Sequence, residues 1–245
     1  MKAKSKRIVY FDAMESDQTG PAFFEGAVRA LESSKYSDSA ELIPFRFNYG
    51  DRKFSPRLML ELARDAGANA IILSGSEKNV SETGNAWVND YLFGLKNLLS
   101  KEEDLPVFGI CFGHHALAQV FEGEVSRFQM ELGFKEINLS HMASYHPALK
   151  NIDDTVLKLG VSHGDQIIRK PEGFHLIASS NYCEVQGLAH DTRPILTLQS
   201  HPEITPEFQK VTRDKEVWEK YSAQDFDEQH GPKVLSNICE WLLEA

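Results

Sequence analysis

The sequence is poor in cysteine. It has three, Cys111, Cys183 and Cys239, and no two of them have the CxxC spacing. An odd number of widely separated cysteines argues against a disulfide framework and against a zinc site built from cysteine pairs. This usage is typical of a reducing compartment, so the sequence predicts a cytoplasmic protein.

Long hydrophobic runs are also missing. The basic segment 1–7 resembles the start of a signal peptide, but the apolar run that follows, residues 8–11, stops at Asp12. No stretch has the length of about 20 apolar residues that a membrane-spanning helix needs. We therefore expect neither a secretory signal nor a contact with a membrane.

The chain has no excess of basic residues. It carries 26 Lys and Arg against 36 Asp and Glu, a net charge of −10, which makes a nucleic-acid partner a poor expectation. There is no glycine-rich phosphate loop, and no His, Asp and Glu cluster has a known metal-ligand spacing. The neighbouring His114 and His115, and His141 with His146, do not form such a cluster. We expect no metal and no cofactor.

Apolar runs and helical patterns alternate in the first half of the chain, which is typical of a doubly wound, mostly parallel sheet. After residue 124 the pattern becomes strand-rich, which predicts a small antiparallel extension. We expect one α/β domain over residues 1–245, with its ligand at the carboxyl ends of the parallel strands. The predicted strands are 8–11, 41–47, 70–73, 107–110, 125–128, 136–139, 156–161, 175–179, 185–189 and 195–198, and the predicted helices are 21–33, 56–65, 87–99 and 232–243.

The segment around Cys111 carries the sharpest chemical signal. An apolar strand ends at Cys111, with Gly109 two residues before it and Gly113 two residues after it, and a helical pattern follows. This is the cysteine counterpart of a nucleophile elbow, where flanking glycines avoid collisions at a sharp strand-to-helix turn. The helix N-terminus favours a thiolate. The alternative is a small core cysteine at a strand end.

A thiol nucleophile needs a base, and the base needs a group that orients it. A predicted strand ends just before His201, and Glu203 follows two residues later, with Pro202 restricting the chain between them. A carboxylate in this place can accept the second N–H of the imidazole. The alternative for a single histidine at a strand end is a structural hydrogen bond.

Acyl transfer also requires amide donors for the tetrahedral oxyanion. The backbone N–H of Phe112, directly after the candidate nucleophile, can serve as one donor. The polar turn at residues 74–76, which follows a predicted strand, can supply the other. Considered alone, this turn would favour an ordinary strand-to-helix connection.

Taken together, four motifs resemble the class I (triad) glutamine amidotransferases, in the order that this family uses. They are Gly-Ile-Cys-Phe-Gly at 109–113, Ser-His-Pro-Glu at 200–203, Ser-Gly-Ser at 74–76 and Ser-His-Gly-Asp at 162–165. The resemblance covers residues 71–204 by motif and the N-terminal third only by its pattern of strands and helices. It implies a flavodoxin-like fold, a γ-glutamyl thioester and ammonia as the first product.

The resemblance also assigns roles to individual residues. Cys111 is the nucleophile, His201 the base and acid, and Glu203 the group that orients His201. Ser76 and Phe112 supply the oxyanion-hole amides. The resemblance also assigns substrate binding to six residues: Gly75, His115, Ser162, His163, Gly164 and Asp165.

Two positions depart from the family pattern. The family usually has a second glycine where Ser76 stands, and glutamine where His115 stands, a glutamine that helps bind the substrate. The Ser-Gly-Ser turn followed by a helix with Trp87 is similar to a stand-alone branch, related to the plant γ-glutamyl peptidases and to the amidotransferase domain of GMP synthase. These departures leave the triad intact and leave the substrate open.

Three functions therefore compete. The first is a glutamine-hydrolysing subunit that passes ammonia to a synthase on another chain. The second is a stand-alone hydrolase or transpeptidase for γ-glutamyl amides or peptides. The third is a catalytically silent binding module, against which the intact set of Cys111, His201 and Glu203 argues.

Overall fold

The computed structural model describes residues 5–47, 55–149 and 152–245. The strands in these ranges form one nine-stranded sheet in the order β2-β1-β3-β4-β9-β8-β7-β5-β6. The strands are β1 Lys6–Asp12, β2 Ala40–Arg46, β3 Ala70–Leu73, β4 Val107–Ile110, β5 Glu124–Leu139, β6 Val156–Arg169, β7 Phe174–Ser179, β8 Gly187–His190 and β9 Ile195–Leu198.

The parallel half of the sheet runs from β2 to β9 and is covered by helices on both faces. Strands β3, β4 and β9 are buried along their whole length, because neither of their faces meets solvent. Helices α1 (Thr19–Glu32) and α8 (Gly231–Leu242) pack on one face. Helices α2 (Met59–Ala66), α3 (Ala86–Lys101) and α4 (Phe112–Val120) pack on the other. These helices cover the faces of the sheet and not its ends, so the carboxyl ends of the parallel strands form one open edge.

The antiparallel half contains β8, β7, β5 and β6. Strand β5 is long and irregular, with a register shift against β6 between Arg127 and Glu131. The two strands predicted at 125–128 and 136–139 are therefore parts of one strand. Strand β6 continues past the predicted end at residue 161 to Arg169. Its Gly160 also accepts a hydrogen bond of 2.8 Å from the His201 amide, so β6 reaches back to the end of β9.

Three short helices follow β9 and were not predicted: α5 (Pro206–Val211), α6 (Lys215–Trp218) and α7 (Ala223–Asp227). They are held by a separate apolar cluster built mainly of aromatic side chains. Trp218 is fully buried at its centre, with edge-on aromatic contacts to Phe134 and Phe208. This cluster fixes the segment beside the open edge of the sheet.

Strand β2 lies at the outer edge of the parallel half and contains Pro44, which pairs with Tyr10 of β1. Proline has no N–H for a ladder, so an edge strand is the position in a sheet where it is tolerated. At position 44 the backbone nitrogen points away from β1, so the missing N–H removes no hydrogen bond between β1 and β2.

The predicted fold class is confirmed: the protein is an α/β protein with the flavodoxin-like, doubly wound arrangement and an antiparallel extension. The predicted helix at 56–65 begins with a short 3₁₀ turn, Pro56–Leu58, before α2. None of the described helices is both long and apolar enough to cross a membrane.

Candidate active site

Cys111 lies at the turn between β4 and α4, with backbone angles φ 48° and ψ −98°. A positive φ is uncommon for a side chain with a Cβ and is characteristic of strained functional turns. The flanking glycines allow the turn. A Cβ on Gly113 would lie 2.6 Å from the Leu73 carbonyl oxygen, and one on Gly109 would lie 2.6 Å from Cδ1 of Leu117. The structure thus has the sharp strand-to-helix turn that the sequence predicts.

The Cys111 sulfur is in contact with two polar groups. Its Sγ lies 3.7 Å from the Ser162 carbonyl oxygen and 3.9 Å from Nε2 of Gln199. The side chain is nearly buried but reaches the wall of a cavity. A substrate in this cavity would have access to the sulfur.

His201 follows β9, and its ring lies beside the same cavity. Its Nδ1 is 2.8 Å from Oε1 of Glu203, so the carboxylate accepts a hydrogen bond from the ring. On one face the ring stacks on Phe23 of α1, with centroids 4.8 Å apart. These contacts fix both the tautomer and the plane of the imidazole.

The environment of His201 favours its protonated form. Burial opposes the charge, but the attraction of Glu203 and of Cys111 is stronger, and together these effects raise the His201 pKa to about 10. At neutral pH the ring is therefore an imidazolium that faces Cys111. A cationic neighbour of this kind favours a thiolate.

The candidate oxyanion groups border the same cavity. Phe112 is the first residue of α4, where backbone amides have no acceptor within the helix. The turn at Ser74–Ser76 is held in place because the Ser76 hydroxyl donates to the Ala13 carbonyl at 2.8 Å. Both Phe112 and Ser76 line the cavity that Cys111 reaches.

Gly75 lies directly against the imidazole. A Cβ on Gly75 would be 2.7 Å from Cε1 of His201, so an alanine there must push the ring away. We expect Gly75→Ala to lower kcat by about 100-fold, because small displacements of a reacting group have large costs. Its melting temperature should stay close to that of the wild type. Steady-state kinetics and calorimetry measure the two effects.

The matched control for this variant is Gly84→Ala. A Cβ on Gly84 has no neighbouring atom within 4 Å, so the same substitution should leave kcat unchanged. Equal kcat values for Gly75→Ala and the wild type would show that the close approach does not position His201.

The predicted substrate-binding segment, residues 162–165, lies within β6. The Asp165 carboxylate is buried and accepts hydrogen bonds from the backbone N–H and hydroxyl of Ser81, at 2.9 and 2.8 Å. Nη1 of Arg127 lies 3.6 Å from the same carboxylate. Asp165 therefore ties the loop after β3 to β6, close to the cavity.

The other residues of this segment border the same cavity as Cys111. Burial, with smaller contributions from His115 and His201, lowers the pKa of His163 to about 3, so its ring is neutral. Nδ1 of His163 lies 3.2 Å from the Asp165 carbonyl oxygen. Ser162, His163, Gly164 and Asp165 all line the cavity.

His115 is buried on α4, one turn after Cys111. Its Nε2 lies 2.6 Å from Oε1 of Gln199, and its ring also borders the cavity. Burial lowers the His115 pKa, although Asp165 and Gln199 oppose this effect. The adjacent His114 instead bonds Thr197, at 2.7 Å, and belongs to the core.

The cavity has a volume of about 690 Å³. Charged side chains of both signs surround it, and short segments after β9 form part of its wall. No group of three or more His, Cys, Asp and Glu side chains in the described ranges is arranged to hold a metal ion. The charged lining residues are Glu15, Glu77, Lys78, Arg127, Asp165, Arg213, Asp214 and Lys215.

The structure thus places Cys111, His201, Ser76 and Phe112 at one cavity, with Glu203 buried next to His201. It also adds residues that the sequence did not single out. These are Gln199, Phe23, Arg127 and the segment 208–215. Gln199 stands two residues before His201, so its position next to a motif was a usable signal. Phe23 and Arg127 come from distant parts of the chain, and no sequence pattern indicated that they would lie at the site.

Comparison with known proteins identifies the family of the chain. Residues 51–216 match the family model described as glutamine amidotransferase class-I. A glutamine-hydrolysing GMP synthase of Psychrobacter arcticus is 36% identical over 144 residues, which is 58% of this chain and 25% of that protein. Another from Aspergillus fumigatus is 30% identical over 193 residues, 76% of this chain and 30% of that protein. The chain thus spans less than a third of these relatives.

Solved structures share the fold. A glutamine amidotransferase of Thermotoga maritima aligns with a TM-score of 0.72 at 17% identity, covering 98% of this chain and 99% of that one. A glutamine amidotransferase of Methylobacillus flagellatus aligns with a TM-score of 0.61 at 18% identity, covering 98% of this chain and 93% of that one. At these identities the alignments establish the architecture alone.

Proposed function

Because the chain belongs to the class-I glutamine amidotransferase family, we propose that it hydrolyses the γ-amide of glutamine through a thioester on Cys111. The observation that carries the proposal is that two of the three groups meet at one cavity and the third holds the second in place. Cys111 reaches the cavity at a strand-to-helix turn, His201 faces it, and Glu203 holds His201 at 2.8 Å. Nucleophile, base and orienting group are the parts that acyl transfer requires.

The proposed reaction proceeds in two halves. The Cys111 thiolate attacks the carbonyl carbon of the γ-amide, and the backbone amides of Ser76 and Phe112 stabilise the oxyanion. When the C–N bond breaks, His201 gives its proton to the nitrogen, and ammonia leaves. His201 then takes a proton from water, whose oxygen attacks the thioester carbon. The C–S bond breaks, glutamate leaves, and Cys111 returns to the thiolate beside protonated His201.

The α-amino and α-carboxyl groups of glutamine require charged or polar partners on the opposite side of the sulfur. We assign this function to residues that line the cavity there: His115, Ser162, His163, Gly164 and Asp165. Gly75, to which the resemblance also gives substrate binding, lies against the His201 ring instead. Arg127 lies 3.6 Å from Asp165, so this wall of the cavity has both a cation and an anion to offer a zwitterion.

The GMP synthases among the relatives are several times longer than the part that this chain matches. We propose that the ammonia is used by a synthase on another chain. A relative from Methanosphaera stadtmanae, named as one subunit of a glutamine-hydrolysing GMP synthase, is 33% identical over 119 residues, 49% of this chain and 60% of that protein. It supports a division of the two activities between chains.

A specific observation favours a second candidate, a hydrolase or transpeptidase of γ-glutamyl peptides. His201 must protonate the leaving group, so that group lies on the His201 side of the sulfur. This side continues through Phe23 to Phe208 of α5, whose rings are 4.6 Å apart, and into the segment 208–215. The cavity there extends beyond the space that ammonia needs.

A direct assay distinguishes the two candidates. With purified protein and glutamine we expect ammonia and glutamate in equal amounts, and no product from asparagine, whose shorter side chain does not bring its amide to Cys111. A γ-glutamyl dipeptide with a kcat/KM at least tenfold above that of glutamine would establish the second candidate. Failure to cleave any γ-glutamyl compound would contradict both and favour the silent binding module.

A further inference from the structure

The side chain of Gln199 connects His115 to the Cys111 sulfur. Gln199 is fully buried, at 0% exposure, in the segment between β9 and His201. Its Oε1 lies 2.6 Å from Nε2 of His115, and its Nε2 lies 3.9 Å from Sγ of Cys111. The neighbouring Cys111 amide is fixed as well, because it donates to the Leu198 carbonyl at 2.8 Å.

The chemistry of the two side chains sets the direction of these hydrogen bonds. An amide oxygen can only accept, so His115 donates from Nε2 to Gln199. Burial lowers the His115 pKa, although Asp165 and Gln199 oppose this effect, and a neutral ring has a single N–H. The Gln199 oxygen requires that N–H on Nε2. The amide of Gln199 cannot rotate without losing this bond, so its N–H group remains directed at the sulfur.

We infer that Gln199, held in orientation by His115, donates a hydrogen bond to the Cys111 thiolate and so acts as a catalytic residue. His115 is then a positioning residue, and the chain His115–Gln199–Cys111 is a second support for the nucleophile beside the His201–Glu203 pair. The inference rests on the proposed function only in taking Cys111 as the nucleophile.

The physical effect of such a donor has a definite sign. A hydrogen bond to the ionised form of a group stabilises that form, so the thiolate persists to lower pH. Gln199 does this without a charge of its own. It therefore remains a donor at pH values where His201 loses its proton.

Alkylation of Cys111 by iodoacetamide at a series of pH values tests the inference. Gln199→Met keeps the length of the side chain and removes the donor. We expect it to raise the pH of half-maximal alkylation rate by about one unit, the size of one hydrogen bond to a charged group. Gln199→Glu keeps the shape and adds a negative charge, so it should raise this pH further. Intact-protein and peptide mass spectrometry locate the label.

Gln186→Met is the matched control. Gln186 is also a fully buried glutamine, but its Nε2 donates to the Ser180 hydroxyl, at 3.1 Å, instead of to the sulfur. This variant should reproduce the wild-type alkylation profile. If both substitutions disturb packing, the melting temperatures of Gln186→Met and Gln199→Met should fall to a similar extent. The pH profile of alkylation should shift in Gln199→Met alone.

The role of His115 is tested by two replacements. His115→Leu removes the N–H that holds Gln199 and should shift the alkylation profile in the same direction as Gln199→Met. His115→Gln keeps a donor and should shift it less. In the double variant with Gln199→Met, the His115→Leu change should add nothing, because both changes break the same chain.

Alkylation measures the reactivity of the Cys111 thiol and needs no substrate, so its outcome does not depend on the result of the glutamine assay. A protein that fails to cleave glutamine, yet shows the shift in Gln199→Met, leaves the inference standing and overturns the proposed function. Identical alkylation profiles for the wild type, Gln199→Met and Gln199→Glu would overturn the inference, whichever substrate is cleaved.

Discussion

Replacement of Cys111 by alanine should lower glutamate release from glutamine by about 10⁴-fold or more, to the limit of detection. The loss is this large because a nucleophile of covalent catalysis cannot be replaced by the groups that assist it. An electrophilic γ-glutamyl analogue, such as a chloromethyl ketone, should add one label to the wild type and none to Cys111→Ala. Coupled glutamate assays and mass spectrometry measure the two losses.

The other two cysteines provide the controls. Burial raises the pKa of the Cys183 thiol to about 12 and that of the Cys239 thiol to about 12, so neither is ionised at neutral pH. Cys183→Ala and Cys239→Ala should therefore keep both activity and label. A label that persists in Cys111→Ala, together with residual turnover, would assign the acyl group to another residue.

Glu203→Gln should reduce kcat/KM at pH 7.5 by about 10³-fold, although the shape of the side chain hardly changes. In the wild type, burial lowers the His201 pKa, while Glu203 and Cys111 outweigh burial and raise it to about 10. Without the Glu203 carboxylate, only Cys111 opposes the effect of burial on the His201 pKa. The His201 pKa then falls, and Cys111 loses its cationic neighbour at neutral pH.

The pH profile of kcat/KM gives a second measure of this variant. The wild-type profile should have an alkaline limb near pH 10, where His201 loses its proton, and Glu203→Gln should shift this limb to lower pH. Glu207→Gln is a suitable control, since Glu207 is exposed on α5 and pairs with Arg29 at 3.1 Å. A Glu203→Gln profile that coincides with the wild type would contradict the proposed charge on His201.

The same ionisation should affect stability. The folded-state pKa of His201 is raised above its ordinary value of 6.5, so the protonated ring stabilises the fold fully below about pH 6.5. This contribution is lost as the pH rises through about 10. Denaturant unfolding of the wild type and of His201→Asn across this range should show a smaller decline in the variant.

The sequence was sufficient for those parts of the site that depend on short segments. Two glycines around Cys111 indicated a turn that the backbone does make, and an apolar run before His201 placed that residue at a strand end. Gln199 was missed because its role depends on two contacts, with His115 and with Cys111, that lie more than 80 positions away in sequence. Its position two residues before His201 was a usable signal for a place near the site, but sequence spacing does not reveal the contacts themselves.

The missed and merged elements have physical explanations of their own. Helices α5, α6 and α7 are too short to show a helical repeat and depend on the aromatic cluster around Trp218. In β5, Gly133 has a φ of 99° and packs against Tyr221, and the preceding stretch is exposed on both faces. Alternation of polar and apolar residues is therefore lost in the middle of a continuous strand.

Pro44 in the edge strand β2 has a consequence for the behaviour of the protein at high concentration. An uncovered strand edge offers its N–H and C=O groups to any other extended chain, and such pairing is a common start of aggregation. At Pro44 the outward N–H is absent, so an incoming strand cannot form a continuous ladder along β2. At the opposite end of the sheet, the hydrogen bond from the His201 amide to the Gly160 carbonyl occupies part of the outer edge of β6. One proline thus protects a nine-stranded sheet from growing by the addition of foreign strands at β2.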